Sequence, residues 1–116
     1  TPAVAHDPVK SEIVYEDFDR LDFRVGQITA AEPVPKADRL LRLDIDVGFD
    51  TRQVVAGIAE HFGPEEVVGR KVVVLVNLKP RMLRGLESQA MILMAKESDD
   101  SLVFIETDAA PGSRVF

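Results

Sequence analysis

Apolar residues recur with a period of two along several stretches of this chain, and each such stretch predicts a strand. Leu21, Phe23 and Val25 alternate, then Ile28 falls out of phase across Gly26-Gln27. A first strand over residues 21–31, bulged at the glycine, is the expected result. Leu41, Leu43, Ile45 and Val47 alternate against Arg42, Asp44 and Asp46, which predicts a half-buried second strand ended by Gly48. A third strand is expected over 52–58. Gly63-Pro64-Glu65-Glu66 places proline at a first helical position and carboxylates in the first turn, where they favour the helix dipole, and Gly69 acts as a stop. One short helix is predicted there. The run Val72-Val73-Val74-Leu75-Val76 is too continuous for one wet face, so a fourth strand over 71–78 is expected to be covered on both sides. A fifth strand over 88–95 and a sixth over 102–105 follow, the last after a Ser98-Asp99-Asp100-Ser101 turn. Near the start, Glu16 to Arg20 reads as a single helical or tight turn. Residues 1–11 contain Pro2 and Pro8 and no sustained period, so they read as a linker ahead of one domain over 12–116.

Three strands, a short helix and further strands, with a bulge to curve the first, predict an all-β fold: a five-stranded OB barrel with one helix between strands three and four and a C-terminal β extension. A sandwich is the alternative. Ligands of OB barrels meet the face of strands two and three and the loops joining strands one to two and four to five. Those loops are expected over 32–39 and 79–87, and both carry cations beside prolines.

Composition narrows the function. At 116 residues and 46% hydrophobic, the chain is long enough for one core and apolar enough to fill it. The absence of cysteine removes disulfides, thiol nucleophiles and thiolate zinc sites. The apolar run Ala90 to Ala95 is far too short to span a membrane, and no signal segment opens the chain, so a cytoplasmic protein is expected. Thr1 in place of Met suggests a piece of a longer chain. The net charge of −6 opposes a polyanionic partner, yet residues 61–96 carry six basic and three acidic side chains, while the acidity is concentrated at the two ends.

The candidate binding residues are cations. Lys36, Arg39, Arg42 and Arg52 form a set flanking one face, and Lys79, Arg81 and Arg84 place three positive charges within six residues of a loop, a field suited to phosphates. Asn77, at the exit of the fourth strand, is able to bond a base or phosphate or to cap the loop's own backbone. No aromatic interrupts either basic loop. Generic single-strand binders stack bases on aromatic platforms, so recognition of backbone and shape in a folded RNA is expected instead. Catalysis finds no support. No phosphate-cradling Gly-rich Lys motif occurs, and His6 and His61 have no clustered third ligand, so no catalytic residue, metal or cofactor is expected.

Several ordered motifs carry a family resemblance. They are Asp17-Phe18, Leu21-Asp22-Phe23-Arg24-Val25-Gly26, Ala37-Asp38-Arg39-Leu40, Val55 with Gly57-Ile58, and Asn77-Leu78-Lys79-Pro80-Arg81-Met82-Leu83-Arg84-Gly85 followed by Ser88 and Met91. Together they resemble the tRNA-binding domain family, and the segment Ser11 to Tyr15 most resembles the C-terminal appendix of a methionyl-tRNA synthetase. The resemblance implies an OB fold, a homodimer, tRNA as partner with little sequence preference, and a synthetase catalytic domain in cis. It also implies that Ser88 and Met91 contact tRNA. From the residues alone Ser88 is a strand-entry hydroxyl and Met91 a core or dimer-seam filler. The rival reading is a protein-interaction module, either a CsaA-like export chaperone or a dimerisation domain.

Overall fold

The structure is a computed structural model that describes residues 7–116; His6 and the rest of the expected linker's first six residues lie outside the described residues. The elements in chain order are α1 (Tyr15–Asp19), β1 (Phe23–Val34), β2 (Ala37–Asp46), β3 (Thr51–Ala56), α2 (Pro64–Val67), β4 (Lys71–Leu75), β5 (Arg81–Leu83), β6 (Leu86–Ser88), β7 (Met91–Ile92), β8 (Met94–Lys96), β9 (Leu102–Phe104) and β10 (Arg114–Val115). The main sheet runs β3-β2-β1-β4-β7, with β10 also pairing β1, and all pairs are antiparallel.

β1 organises the sheet because its two halves serve different neighbours. Phe23 to Gln27 pair with Leu75 to Lys71 of β4, whereas Gln27 to Val34 pair with Asp46 to Ala37 of β2. The register slips between Ile28 and Ala30, so the bulge lies at Thr29 and not at Gly26-Gln27. Gly26 has another role. A Cβ there would sit 2.6 Å from Ile45 Cγ2 and 3.0 Å from Val74 Cγ2, so β1 passes too close to two core side chains to carry any side chain of its own.

The core follows the alternation in β2: Leu41, Leu43, Ile45 and Val47 are all but fully buried, and Ile28, Val54, Val72, Val74 and Ile92 join them. Each such side chain contributes about 1.5–3 kcal/mol of hydrophobic burial. All of Val72 to Val76 is buried, as a strand covered on both sides requires. α2 begins at Gly63, whose N–H donates to Glu66 Oε1 at 2.9 Å, and it seats Val67 in the core before Gly69 turns the chain at φ +93.

Three expectations need correction. The segment 32–39 is not an open loop: β1 and β2 run on and meet in a turn at Pro35-Lys36. The segment 79–87 folds into its own hairpin, β5 with β6. The fifth strand is broken into β6, β7 and β8, so the ladder does not close into a barrel. The break has a visible cause. At the seam between β3 and residues 87–90 one backbone bond, Gln89 N–H to Gln53 O at 2.8 Å, is flanked by side-chain bonds: Gln53 N–H to Gln89 Oε1 at 2.9 Å, Val55 N–H to Ser88 Oγ at 3.1 Å and Gln53 Nε2 to Glu87 O at 2.9 Å. The sheet curls on itself, and side chains take the place of the missing strand pairing.

Candidate nucleic-acid interface

The two cationic connections meet through a small apolar cluster. Val34, Ala37 and Val55 are buried, and Leu40, Leu83 and Leu86 pack against them. Leu83 and Leu86 face each other across the β5–β6 turn, and Val34 and Ala37 across the β1–β2 turn, so the two hairpin tips are fastened side by side. Lys36 rides on one tip and Arg84 on the other, both exposed.

Both tip cations hold an uncommon backbone conformation. Lys36 has φ 62 and Arg84 φ 51, with Gly85 following at φ 81. Arg84-Gly85 thus forms the two-residue turn with positive φ at both positions that suits a right-twisted hairpin. Glycine or asparagine fits such positions best, and a long side chain there costs on the order of 1 kcal/mol.

Six of the chain's 14 Lys and Arg residues are engaged in ion pairs among the described residues, and the pairing separates the candidates. Lys36, Lys79, Arg81 and Arg84 are exposed and have no carboxylate partner among the described residues. Arg39 is exposed and meets Glu60 at 3.2 Å, with both side chains largely in water, a pair weak enough to yield to a phosphate. Arg42 is different. Its guanidinium bonds Glu32 at 2.6 Å and Asp44 at 2.9 Å, and the hydrogen bond to Glu32, with Asp44 adding to it, raises its pKa above the usual arginine value. Arg52 bonds Asp50 at 3.0 Å and donates to Val76 O at 3.0 Å, beneath the ring of Phe49. The structure therefore spends Arg42 and Arg52 on holding the sheet.

Asn77 is also committed. Its Oδ1 accepts the Asp22 N–H at 2.9 Å and its Nδ2 donates to Arg20 O at 2.7 Å, which clips the chain after α1 to the root of the 77–80 connection. Ser88 is buried in the seam, accepting from Val55 N–H and donating to Ala90 O at 3.3 Å. Met91 is 45% exposed.

Met91 lies on a feature that the sequence reading missed. A groove of 440 Å³ runs between the end of β3 and the 78–92 segment, lined by Leu40, Gly57, Leu78, Leu83 and Met91 among others, with Lys79 and Arg81 on it as well. The lining includes no Asp or Glu, although the chain has 20 of them. The signal that was available is Leu83 and Leu86 bracketing Arg84-Gly85, a hairpin with an apolar underside.

Residues 23–114 match the family described as putative tRNA binding domain. A methionine–tRNA ligase of Salinibacter ruber is 47% identical over 115 residues, covering 99% of this chain but 16% of that protein, so the chain spans a minor part of that relative's length. Among solved structures, a "MetRS related protein" from Pyrococcus horikoshii superposes with a TM-score of 0.87 at 32% identity, covering 92% of this chain and all of that one. The chaperone CsaA of Bacillus anthracis superposes at 0.81 with 28% identity, over 91% of this chain and all of that one. The family match takes in every strand from β1 through β9, and the chain belongs to the putative tRNA-binding domain family.

Proposed function

We propose that this domain is a non-catalytic module that grips tRNA by its backbone and shape, as an appendix of a methionyl-tRNA synthetase in the cytoplasm. The observation that carries the reading is the pair of hairpin tips joined by the Val34, Ala37, Leu83 and Leu86 contacts, with unpaired Lys36, Lys79, Arg81 and Arg84 around them. Arg39 completes the cationic surface, and Met91 adds apolar contact. On this reading residues 1–11 are the tether and 12–116 the module. The curled sheet stands in for an OB barrel left open where the last strand is interrupted, with side-chain bonds spanning the seam. Tethering explains why modest affinity suffices, because a second contact made on a molecule already held by the catalytic domain occurs at high effective concentration.

The module acts as a homodimer. Support comes from exposed apolar side chains where α1 meets the C-terminal strand: Tyr15, Phe18, Leu21, Phe23, Val115 and Phe116 line one shallow cavity together with Asp19, Asp22 and Arg114, and Phe116 is 92% exposed. Exposed aromatic side chains grouped inside a charged rim mark association sites.

The apolar groove favours a second reading, a chaperone that holds unfolded segments, in keeping with the likeness to CsaA. Competition separates the two. Fluorescence anisotropy with labelled tRNA, challenged by a second tRNA species, by unstructured RNA of equal length and by an apolar unfolded peptide, is expected to rank both tRNAs together and ahead of the rest. A peptide that binds more tightly than tRNA refutes the proposal.

A further inference from the structure

Within the groove, Gly57 occupies a position where the fold makes no demand for glycine. Its φ lies outside the left-handed region, and a Cβ built on it meets nothing within 4 Å. Gly26, by contrast, is crowded by core side chains, and Gly48 by the backbone of Pro111 and Gly112. Glycine loses more chain freedom on folding than alanine does. A glycine that no steric or conformational demand calls for leaves its bare backbone open to an object approaching from outside.

The groove describes that object. Its walls at Leu40, Leu78, Leu83 and Met91 are aliphatic, so the occupant has apolar faces. Lys79 and Arg81 stand on it without carboxylate partners among the described residues, and no acid lines it, so the occupant carries negative charge beside those faces. A nucleobase between two phosphates meets both conditions; the apolar side chain of a peptide meets the first alone. We infer that the groove receives one unstacked nucleobase of the bound RNA, laid against the backbone at Gly57 between the leucine and methionine walls, with its flanking phosphates on Lys79 and Arg81. This inference rests on the RNA-binding reading above and adds to it a contact with a base face, for which no aromatic side chain is needed.

The test is tRNA binding by the full chain across a salt series, with Gly57→Val and Met91→Ala beside the wild type. Filling the floor or removing a wall takes away apolar contact and no phosphate contact. Each variant is therefore expected to bind roughly 5- to 30-fold more weakly, the order of magnitude of the apolar contact of one partly buried side chain, with an unchanged slope of log affinity against log salt. Because a Cβ at Gly57 meets nothing within 4 Å, a Gly57→Ala control is expected to show a thermal midpoint no lower than the wild type's, and a folded melt of Gly57→Val is required before its binding is read. Wild-type affinity in both variants overturns the inference and leaves the RNA reading standing, as does a fall in slope matching that of a lost cation. A peptide displaced by Gly57→Val while tRNA is unaffected assigns the groove to protein and also overturns it. No tRNA binding by the wild type overturns both readings at once.

Discussion

Replacing Lys79, Arg81 and Arg84 together by alanine tests the electrostatic mechanism most directly. Five cations on the two connections are available to phosphates: Lys36, Lys79, Arg81 and Arg84 without carboxylate partners among the described residues, and Arg39 through a weak exposed pair. Each phosphate neutralised contributes about 0.7–0.9 to the dependence of log affinity on log salt, so the wild type should show a slope of roughly −3.5 to −4.5. Removing three contacts should leave a slope of about −1.4 to −1.8. Because this free energy comes from counterion release, the same loss weakens binding on the order of 100-fold at 0.15 M salt. The control is the pair Arg42→Ala and Arg52→Ala. Both guanidiniums are already saturated, by Glu32 and Asp44 in one case and by Asp50 and Val76 O in the other, so the slope should move by less than about half a unit. Their thermal stability should fall, since Arg42→Ala leaves the part-buried Asp44 without its partner and Arg52→Ala leaves Val76 O without its donor. Anisotropy titrations from low to high salt, with circular dichroism melts of every variant, read both quantities. A wild-type slope near zero, or a slope that Arg42→Ala and Arg52→Ala lower as much as the triple variant does, refutes the reasoning.

Lys36→Gly and Arg84→Gly should each raise stability by up to about 1 kcal/mol, by releasing the left-handed backbone, while weakening tRNA binding; denaturant melts and titrations read the two effects, and a loss of stability refutes the strain argument. Gly26→Ala should destabilise by about 1–3 kcal/mol, because its methyl group enters space held by Ile45 and Val74, and an unchanged denaturation midpoint contradicts the close approach. Asp99 has its pKa lowered first by the Ser101 hydroxyl, at 2.6 Å, and then by the Ser101 backbone N–H. A depressed carboxylate stabilises fully above its unfolded pKa of about 4 and loses that contribution as pH falls through the folded value. Ser101→Ala should therefore lose stability at neutral pH and converge on the wild type in strong acid; equal differences at pH 7 and pH 2 refute the assignment.

What the sequence revealed and what it hid have physical reasons. The alternation from Leu41 to Val47 and the run Val72 to Val76 are direct images of burial on one face and on two, so both strands are legible from the residues. Gly26 misleads because glycine in a strand signals either a bulge or a close approach, and only the positions of Ile45 and Val74 show that it is the second. The two connections read as open loops because their strands are short or interrupted by proline, which weakens a period-two signal to two or three residues. Among the cations, part of the pairing was readable: Arg42 with Asp44, and Arg52 with Asp50, stand two apart, on one face of a strand or its immediate approach. The other part was not. Glu32 reaches Arg42 because β1 and β2 pair in a register that places the two opposite each other, and Arg52 finds Val76 O across the closing seam. A cation's availability depends on such register.

A chain of net charge −6 is an unpromising partner for a polyanion until its charges are placed. On the proposed reading the acidic residues set the edge of the footprint. Glu16 and Asp17 lie in α1, whose Phe18 stacks on Phe23 at the start of β1, and Asp17 lines the same shallow cavity as Asn77 and Leu78. Lys79 follows two residues after the Asn77 clip, so phosphates beyond it would meet carboxylates. From Lys79 the free cations continue through Arg81 to Arg84 and Lys36 at the tips, which stand at the far end of the 12-residue β1. That strand, at about 3.3 Å per residue, is several times the 8 Å over which charge is felt at physiological salt. Lys36 and Arg84 are thereby screened from α1, and on the proposed reading the RNA would be steered along the β5–β6 hairpin toward the tips. On the proposed reading an acidic composition is compatible with a polyanionic ligand because cations such as Arg42 and Arg52 are spent inside the sheet, while Lys36, Lys79, Arg81 and Arg84 on two adjoining hairpins have no carboxylate partner among the described residues.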